Sequence, residues 1–122
     1  MFELGIIGTG KMGIALLGGV ISGKLLKPSA VIAFDAHPDA LKTCKKAYAI
    51  ATASSVAEVL SSSKRVLLAV KPQDLGPVLE VGKQQKKKPA VVISICAGVP
   101  ISKLKAAFGP HIQICRAMPN TP

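Results

Sequence analysis

Gly8-Thr9-Gly10-Lys11-Met12-Gly13 follows an apolar run and opens a stretch of helical periodicity. It matches the pattern G-x-G-x-x-G, in which each glycine has its own physical purpose. The first allows a tight turn, the second lets the backbone approach a pyrophosphate, and the third lets the helix pack closely against the strand. The helix then directs its free N–H groups and the positive end of its dipole at the phosphates. The stretch therefore predicts a dinucleotide-binding turn, with a purely structural βα turn as the alternative.

The sequence on either side of this turn strengthens the prediction. Glu3 to Gly8 is predicted as a strand, and Lys11 to Ser22 as a helix that ends at Gly23. A second predicted strand, Val31 to Asp35, ends on a carboxylate at about the 20-residue spacing expected for a ribose-binding acidic residue. Glycine-rich turns are common, so the motif alone is a weak signal. Strand, helix and carboxylate together make it a strong one.

The residues after the second strand leave the choice of cofactor open. Asp35 would accept hydrogen bonds from the adenine-ribose hydroxyls, which favours NAD and repels a 2′-phosphate. His37 follows two residues later and Lys42 lies further along the next helix, and either cation could neutralise a phosphate. His37 could equally be an exposed turn residue beside Pro38. We therefore expect NAD(H) or NADP(H).

Apolar runs and helical stretches alternate through the rest of the chain at short intervals. This alternation predicts an α/β fold, a Rossmann-type doubly wound, mainly parallel sheet with helices on both faces, in one domain over residues 1–122. The further predicted strands are an extended piece near 49–51 and strands over 65–70, 90–95 and 112–115. The further predicted helices run from Pro38 to about Ala47, from a cap at Ser54 or Ser55 to about Leu60, from Asp74 to about Lys86, and over 102–108. Gly76 and Pro77 are expected to delay the regular start of the helix that begins at Asp74.

Composition and charge restrict the function classes. The residues are 49% apolar, nearly all aliphatic, and the net charge is +10. Lysines cluster at 42–46 and 83–88, where helices are predicted to end, so solvated helix ends are favoured over nucleic-acid binding. The apolar stretch 4–26 contains Lys11 and many glycines, so we expect no membrane segment. The three cysteines are predicted to be reduced, buried thiols of a cytoplasmic protein, and no metal site is expected.

Four segments, in order along the chain, resemble those of pyrroline-5-carboxylate reductases. The last of them is close to a signature of that family. The resemblance spans the whole chain but covers only the front part of a family member. The segments are Ile7-Gly8-Thr9-Gly10-Lys11-Met12-Gly13, Ala69-Val70-Lys71-Pro72-Gln73, Ser94-Ile95-Cys96-Ala97-Gly98-Val99 and Arg116-Ala117-Met118-Pro119-Asn120-Thr121-Pro122.

The resemblance implies a role for each matching position. The backbone from Thr9 to Gly13, including Lys11 and Met12, would cradle the pyrophosphate. His37 would lie near the 2′-phosphate of NADP, and Ser55 would contact a ribose. The other implied cofactor contacts are Val70, Lys71 and Pro72 on the nicotinamide side, Ala97 and Gly98 opposite them, and Met118 and Asn120 near the nicotinamide and the substrate edge.

Asp35 departs from the family pattern, because many members that prefer NADP carry a small or uncharged residue there. His111 matches no family role and is expected in a surface loop. Arg116 could face an anionic substrate or anchor the turn after the last strand. The preference for NADP that the family implies is therefore in doubt.

The resemblance implies hydride transfer from a dihydronicotinamide to the C=N carbon of Δ1-pyrroline-5-carboxylate, which gives proline. No catalytic residue is assigned to this chain. Because the chain stops on Asn120-Thr121-Pro122 straight after a strand, we expect a cut before the helical domain that in the family binds substrate and forms the dimer. The chain would then bind cofactor without turnover, and the full-length protein would be a homo-oligomer.

Three other interpretations stay open. One is a related dehydrogenase with the same front end, such as a hydroxyacid dehydrogenase or a deazaflavin-dependent reductase, or a paralogue with another substrate. Another is a non-enzymatic module that senses dinucleotides. The least favoured is a basic nucleic-acid binder.

Overall fold

The computed structural model describes residues 1–117, in which six strands alternate with five α-helices. Two short 3₁₀ turns, at Pro28–Ala30 and Pro72–Asp74, join neighbouring elements. The strands are β1 Phe2–Ile7, β2 Val31–Phe34, β3 Ala51–Thr52, β4 Ser63–Leu68, β5 Val91–Ser94 and β6 Gln113–Arg116. The helices are α1 Lys11–Ser22, α2 Pro38–Tyr48, α3 Val56–Ser62, α4 Leu75–Gln84 and α5 Ile101–Phe108.

The six strands form one sheet in the order β3-β2-β1-β4-β5-β6, and every pair is parallel. The chain runs outward from β1 to one edge, returns, and then fills the other side from β4. The order therefore reverses between β1 and β4, and ligands of open α/β sheets bind in the crevice at that point. The predicted doubly wound parallel sheet is confirmed.

Apolar side chains bury both faces of the sheet. Helices α1 and α2 cover one face, where Leu17 and Cys44 pack on Ile6 and Ala33. Helices α3, α4 and α5 cover the other, with a larger cluster that includes Val59, Leu79, Leu104, Phe108 and Val92. Because the central strands are buried on both sides, they read in the sequence as continuous aliphatic runs rather than as alternating patterns.

Several predicted boundaries are wrong, most of them by one residue. The strand predicted over 65–70 lies at Ser63–Leu68, because Ser63 already pairs with Phe2 of β1. Pro77 was expected to delay the regular part of α4, but α4 begins at Leu75 with Pro77 inside its first turn. A proline fits there because the first N–H groups of a helix have no partner within the helix. The strand predicted near 49–51 is shifted to 51–52, because Ala49 ends α2 in the left-handed conformation, with φ +56°.

The cysteine prediction holds for two residues of three. Cys44 and Cys96 are buried, whereas Cys115 is exposed, and all three are free thiols. Cys115 lies on β6, which pairs only with β5 within residues 1–117 and has little packed against it. His111 lies exposed in the turn before this strand, as expected.

Most basic side chains lie at the edge where the strands begin and the helices end. Lys45 and Lys46 are in the last turn of α2, and Lys83 is in that of α4, where cations complement the helix dipole. Glu3 pairs there with Lys64 and Arg65. The basic residues of this edge are Lys24, Lys27, Lys45, Lys46, Lys64, Arg65, Lys83, Lys86, Lys87, Lys88 and Lys105. In residues 1–117, no helix is long and apolar enough to span a membrane.

Candidate functional site

The glycine-rich turn lies at the carboxyl end of β1, between β2 and β4. Gly8 has φ +103°, a conformation that favours glycine, and its N–H donates to the Phe34 carbonyl at 2.9 Å. A Cβ atom on Gly8 would lie 2.6 Å from the Ala69 carbonyl. A Cβ on Gly13 would collide with the Gly8 carbonyl oxygen. Both glycines therefore allow close contacts between backbones within the protein.

Gly10 differs from the other two glycines of the motif. It caps the amino end of α1, and a Cβ placed on it would meet no protein atom within 4 Å. The first helical hydrogen bond runs from Ile14 N–H to the Gly10 carbonyl, so the N–H groups of residues 11–13 have no partner within the helix. The structure therefore leaves open space beside Gly10 and unpaired donors facing it, as an anion site requires.

The Asp35 carboxylate joins the end of β2 to this turn. Its Oδ2 accepts hydrogen bonds from the Thr9 N–H at 2.7 Å and from the Thr9 hydroxyl at 2.9 Å, and its Oδ1 accepts one from the His37 N–H at 2.8 Å. Burial alone would raise the pKa of Asp35, but these three hydrogen bonds outweigh it and the pKa lies below its ordinary value. The carboxylate therefore stays ionised and holds the turn in place.

A cavity of about 420 Å³ opens beside the turn, at the point where the strand order reverses. Its size and largely apolar walls are those of small-molecule sites. Residues from five parts of the chain line it: Ile7, Gly8 and Gly10; Phe34, Asp35, Ala36, His37 and Ala40; Val56; Ala69, Val70 and Lys71; and Asp74, Pro77 and Val78.

A family model described as "NADP oxidoreductase coenzyme F420-dependent" matches residues 3–98. The chain belongs to this family.

Pyrroline-5-carboxylate reductases are similar to the chain over almost its whole length. The enzyme of Escherichia coli is 36% identical over 120 residues, which are 98% of this chain and 45% of that enzyme. The structure of the Coxiella burnetii reductase superimposes with a TM-score of 0.87 at 27% identity, over 99% of this chain and 45% of that one. The resemblance of the four sequence segments to these reductases is thus confirmed.

A Plasmodium falciparum pyrroline carboxylate reductase with NADP bound is also similar, with a TM-score of 0.80 and 32% identity over 99% of this chain and 43% of that one. The chain therefore spans somewhat less than half the length of these relatives.

The cavity brings together six of the residues singled out in the sequence: Gly8, Gly10, Asp35, His37, Val70 and Lys71. Thr9 is buried behind the turn on Asp35, and Gly13 is buried against Gly8. Lys11 is exposed and lines an open groove between α1 and α2, and Met12 is half-buried at the start of α1.

Four other family positions, among the described residues, lie outside the cavity lining. The Ser55 hydroxyl accepts a hydrogen bond from the Glu58 N–H at 3.1 Å and so caps α3, next to the lining residue Val56. Pro72 opens the exposed 3₁₀ turn after β4. Ala97 and Gly98 form an exposed loop after β5, with Gly98 at φ +74°. Met118 and Asn120 lie outside the described residues.

Cys96 fixes the end of β4 beside the cavity. Its thiol donates to the Val70 carbonyl, 3.4 Å away, and lies 3.7 Å from the Leu68 carbonyl. Burial raises the pKa of this thiol, so it stays protonated and able to donate. No group of three His, Cys, Asp or Glu side chains within residues 1–117 is arranged to hold a metal ion.

Sequence reasoning missed the wall of the cavity that is furthest along the chain. Asp74, Pro77 and Val78 were interpreted only as the start of a helix. The one available signal was the position of Asp74 just beyond the carboxyl end of the central strand β4. Phe34, Ala40 and Val56 carry no signal of their own, because an apolar residue beside a site reads like any core residue.

Proposed function

We propose that this chain is the dinucleotide-binding half of an NAD(P)H-dependent reductase that converts Δ1-pyrroline-5-carboxylate to proline. One observation carries the proposal. The glycine-rich turn and its cavity lie at the strand-order reversal of a chain that is 36% identical, over 98% of its length, to a pyrroline-5-carboxylate reductase. Position in the fold and sequence similarity thus point to the same ligand.

The residues present fit a dinucleotide. The space beside Gly10 and the unpaired N–H groups of the first turn of α1 suit a pyrophosphate, which needs donors and room rather than a side chain. Asp35 and His37 lie at the end of β2, where a ribose would follow. The largely apolar remainder of the cavity suits a flat base.

When bound, the reduced dinucleotide supplies the hydride, and the chain positions it. The turn fixes the pyrophosphate, because Asp35 and the Phe34 carbonyl hold Thr9 and Gly8 from the neighbouring strand. Val70, held by Cys96, and Lys71 line the cavity where β4 ends. These contacts restrict the orientation of the cofactor before the imine arrives.

Asp35 and His37 lie where the protein would distinguish NADP, which carries a 2′-phosphate, from NAD, which does not. A carboxylate offers about four acceptor sites, and three hydrogen bonds from the protein already occupy Asp35. Asp35 thus acts first as the acceptor that positions the turn and has one site left for a ribose hydroxyl. The exposed His37 side chain is then free to meet a 2′-phosphate, as the similarity to the NADP-bound reductase suggests.

The proposed activity also implies a location, a pathway and an oligomeric state for the full-length protein. In this account the chain is the front part of a cytoplasmic enzyme of proline biosynthesis that works as a homo-oligomer, with the substrate bound by residues that follow this domain. We expect the 122-residue chain to bind reduced dinucleotide without reducing the imine.

Substitution of Gly10 tests the proposal. Gly10→Val adds a side chain where no protein atom lies within 4 Å, and so it should leave thermal unfolding nearly unchanged while filling the space assigned to the pyrophosphate. Titration with NADPH and NADH should show binding by the natural chain and at least a tenfold loss in the variant. Equal affinity in both proteins would contradict the proposed site.

A further inference from the structure

Asp74 is an acidic residue of the cavity without a partner among the described residues. It ends the 3₁₀ turn after β4, immediately before α4, and lines the same cavity as Gly8 and Asp35. Within residues 1–117 its carboxylate accepts no hydrogen bond and lies in no ion pair, whereas the carboxylates of Asp35 and Glu58 both accept hydrogen bonds from neighbouring groups.

The cavity wall around Asp74 is apolar. Pro77 and Val78 lie on the same helix start, and Val56 comes from α3. Such walls suit a flat aromatic ring, and a half-buried carboxylate among them is best satisfied by a donor on that ring. Lys71 lines the same cavity, but its ammonium group forms no ion pair with Asp74.

The order in which the parts of a dinucleotide are joined decides which part of the cavity each of them occupies. The turn at Gly8 to Gly13 takes the pyrophosphate, and the end of β2 takes the ribose, as the proposed function assigns them. The base attached to that ribose must then occupy the remaining part of the same cavity, where α4 begins. Adenine carries one exocyclic donor group, the 6-amino group, and the Asp74 carboxylate in that part of the cavity has no ion pair among residues 1–117.

We propose that the Asp74 carboxylate accepts a hydrogen bond from the adenine 6-amino group and makes the site selective for adenine against 6-oxopurines. This inference rests on the proposed function and adds the residue that selects the base. At the position of the 6-amino group a 6-oxopurine presents an acceptor, so it can satisfy the carboxylate only by shifting to present its N1–H instead.

The test compares NADPH with its reduced hypoxanthine analogue, which differs only at the purine ring. Titration of the natural chain should show tighter binding of NADPH, by about tenfold or more, as expected for one hydrogen bond to a charged group. In Asp74→Ala the ratio of the two dissociation constants, hypoxanthine analogue to NADPH, should fall towards one, mainly because NADPH binds more weakly. Asp74→Asn should also bring the ratio close to one, but with tighter binding of the hypoxanthine analogue than in Asp74→Ala, because an amide can accept from the amino group or donate to the oxo group.

Asp39→Ala is the matched control. It removes one carboxylate from the start of α2, at a residue that lies outside the cavity lining but in the open groove that Lys11 also lines. It should therefore change the affinities for both dinucleotides alike and keep the natural ratio. Circular dichroism and thermal unfolding of each variant show whether it is folded. Equal binding of both dinucleotides by the natural chain, or a ratio that Asp74→Ala leaves unchanged, would overturn the role of Asp74 alone. A folded natural chain that binds neither would overturn the proposed function as well.

Discussion

Gly8 and Gly10 carry opposite constraints although they stand two residues apart. Gly8 has φ +103° and lies against the Ala69 backbone, so Gly8→Ala should lower the free energy of unfolding by about 1–3 kcal/mol or more. Gly10 faces open space at a normal φ of −73°, so Gly10→Ala should leave it nearly unchanged. Chemical denaturation of the two variants measures the difference. Equal losses would show that the turn is not held as described.

Asp35 should make stability depend on pH. Its pKa in the folded chain lies below the ordinary 3.8, so its contribution is complete above that value and is lost as the pH falls through the lower folded value. Asp35→Asn cannot ionise and loses part of the hydrogen bonding at Thr9 and His37. The gap in Tm between the natural chain and this variant should therefore stay constant down to about pH 4 and narrow as the pH falls further. A gap that stays constant below about pH 4 would show that an ionised Asp35 does not hold the turn.

The sequence identifies residues by their place in a motif but not by their partners. Asp35 was correctly placed at the end of β2, yet its bonds to Thr9 depend on how β2 pairs with β1. Asp74 lines the cavity because of how the segment between β4 and α4 packs. The only sign of this in the sequence is its position just beyond β4. Its role, like those of the other site residues, stays a prediction.

At the scale of elements, α4 and α5 meet through a glycine. A Cβ on Gly82 would lie 2.7 Å from the ring of Phe108, which is only 1% exposed and cannot move cheaply. Gly82→Ala should therefore destabilise the chain by about 1–3 kcal/mol, although alanine favours helices.

Gly19 provides the control for this contact, because a Cβ there meets nothing within 4 Å in the middle of α1. Gly19→Ala should raise the free energy of unfolding by up to about 1 kcal/mol. Urea denaturation compares the two variants. A gain in Gly82→Ala would mean that α4 does not pack on Phe108 in this way.

Element types followed from the sequence more reliably than element ends. Short β-branched aliphatic runs bounded by turn residues favoured buried strands, and the turn after β1 indicated where α1 begins. The start of α4 was misplaced because a proline in a first turn and a proline that breaks a helix look alike in sequence. The shift of β3 depended on the left-handed conformation of Ala49, which alanine seldom adopts.

In the whole molecule, most of the basic side chains lie at the edge of the sheet where the strands begin, and the proposed cofactor site lies at the opposite edge. A six-residue strand such as β1 spans about 20 Å, well beyond the screening length of about 8 Å at physiological salt. Lys86 and Lys87, exposed beyond α4, should therefore not affect the cofactor: the double substitution Lys86→Gln and Lys87→Gln should leave NADPH affinity within about twofold.

Lys71→Gln is the counterpart, because Lys71 lines the cavity itself. It should weaken NADPH binding severalfold, and titrations at two salt concentrations compare the variants. A larger effect of the distant pair than of Lys71 would place the phosphates elsewhere.

Isothermal titration of the folded chain with NADPH and NADH in parallel, at moderate salt, decides whether this cavity binds a dinucleotide. We expect saturable binding of at least one of them, at one dinucleotide per chain. Preference for NADPH would assign the choice to His37 and its basic neighbours, and preference for NADH would assign it to the remaining acceptor of Asp35. Binding of neither by a chain shown to be folded would contradict the assignment of this cavity to a dinucleotide.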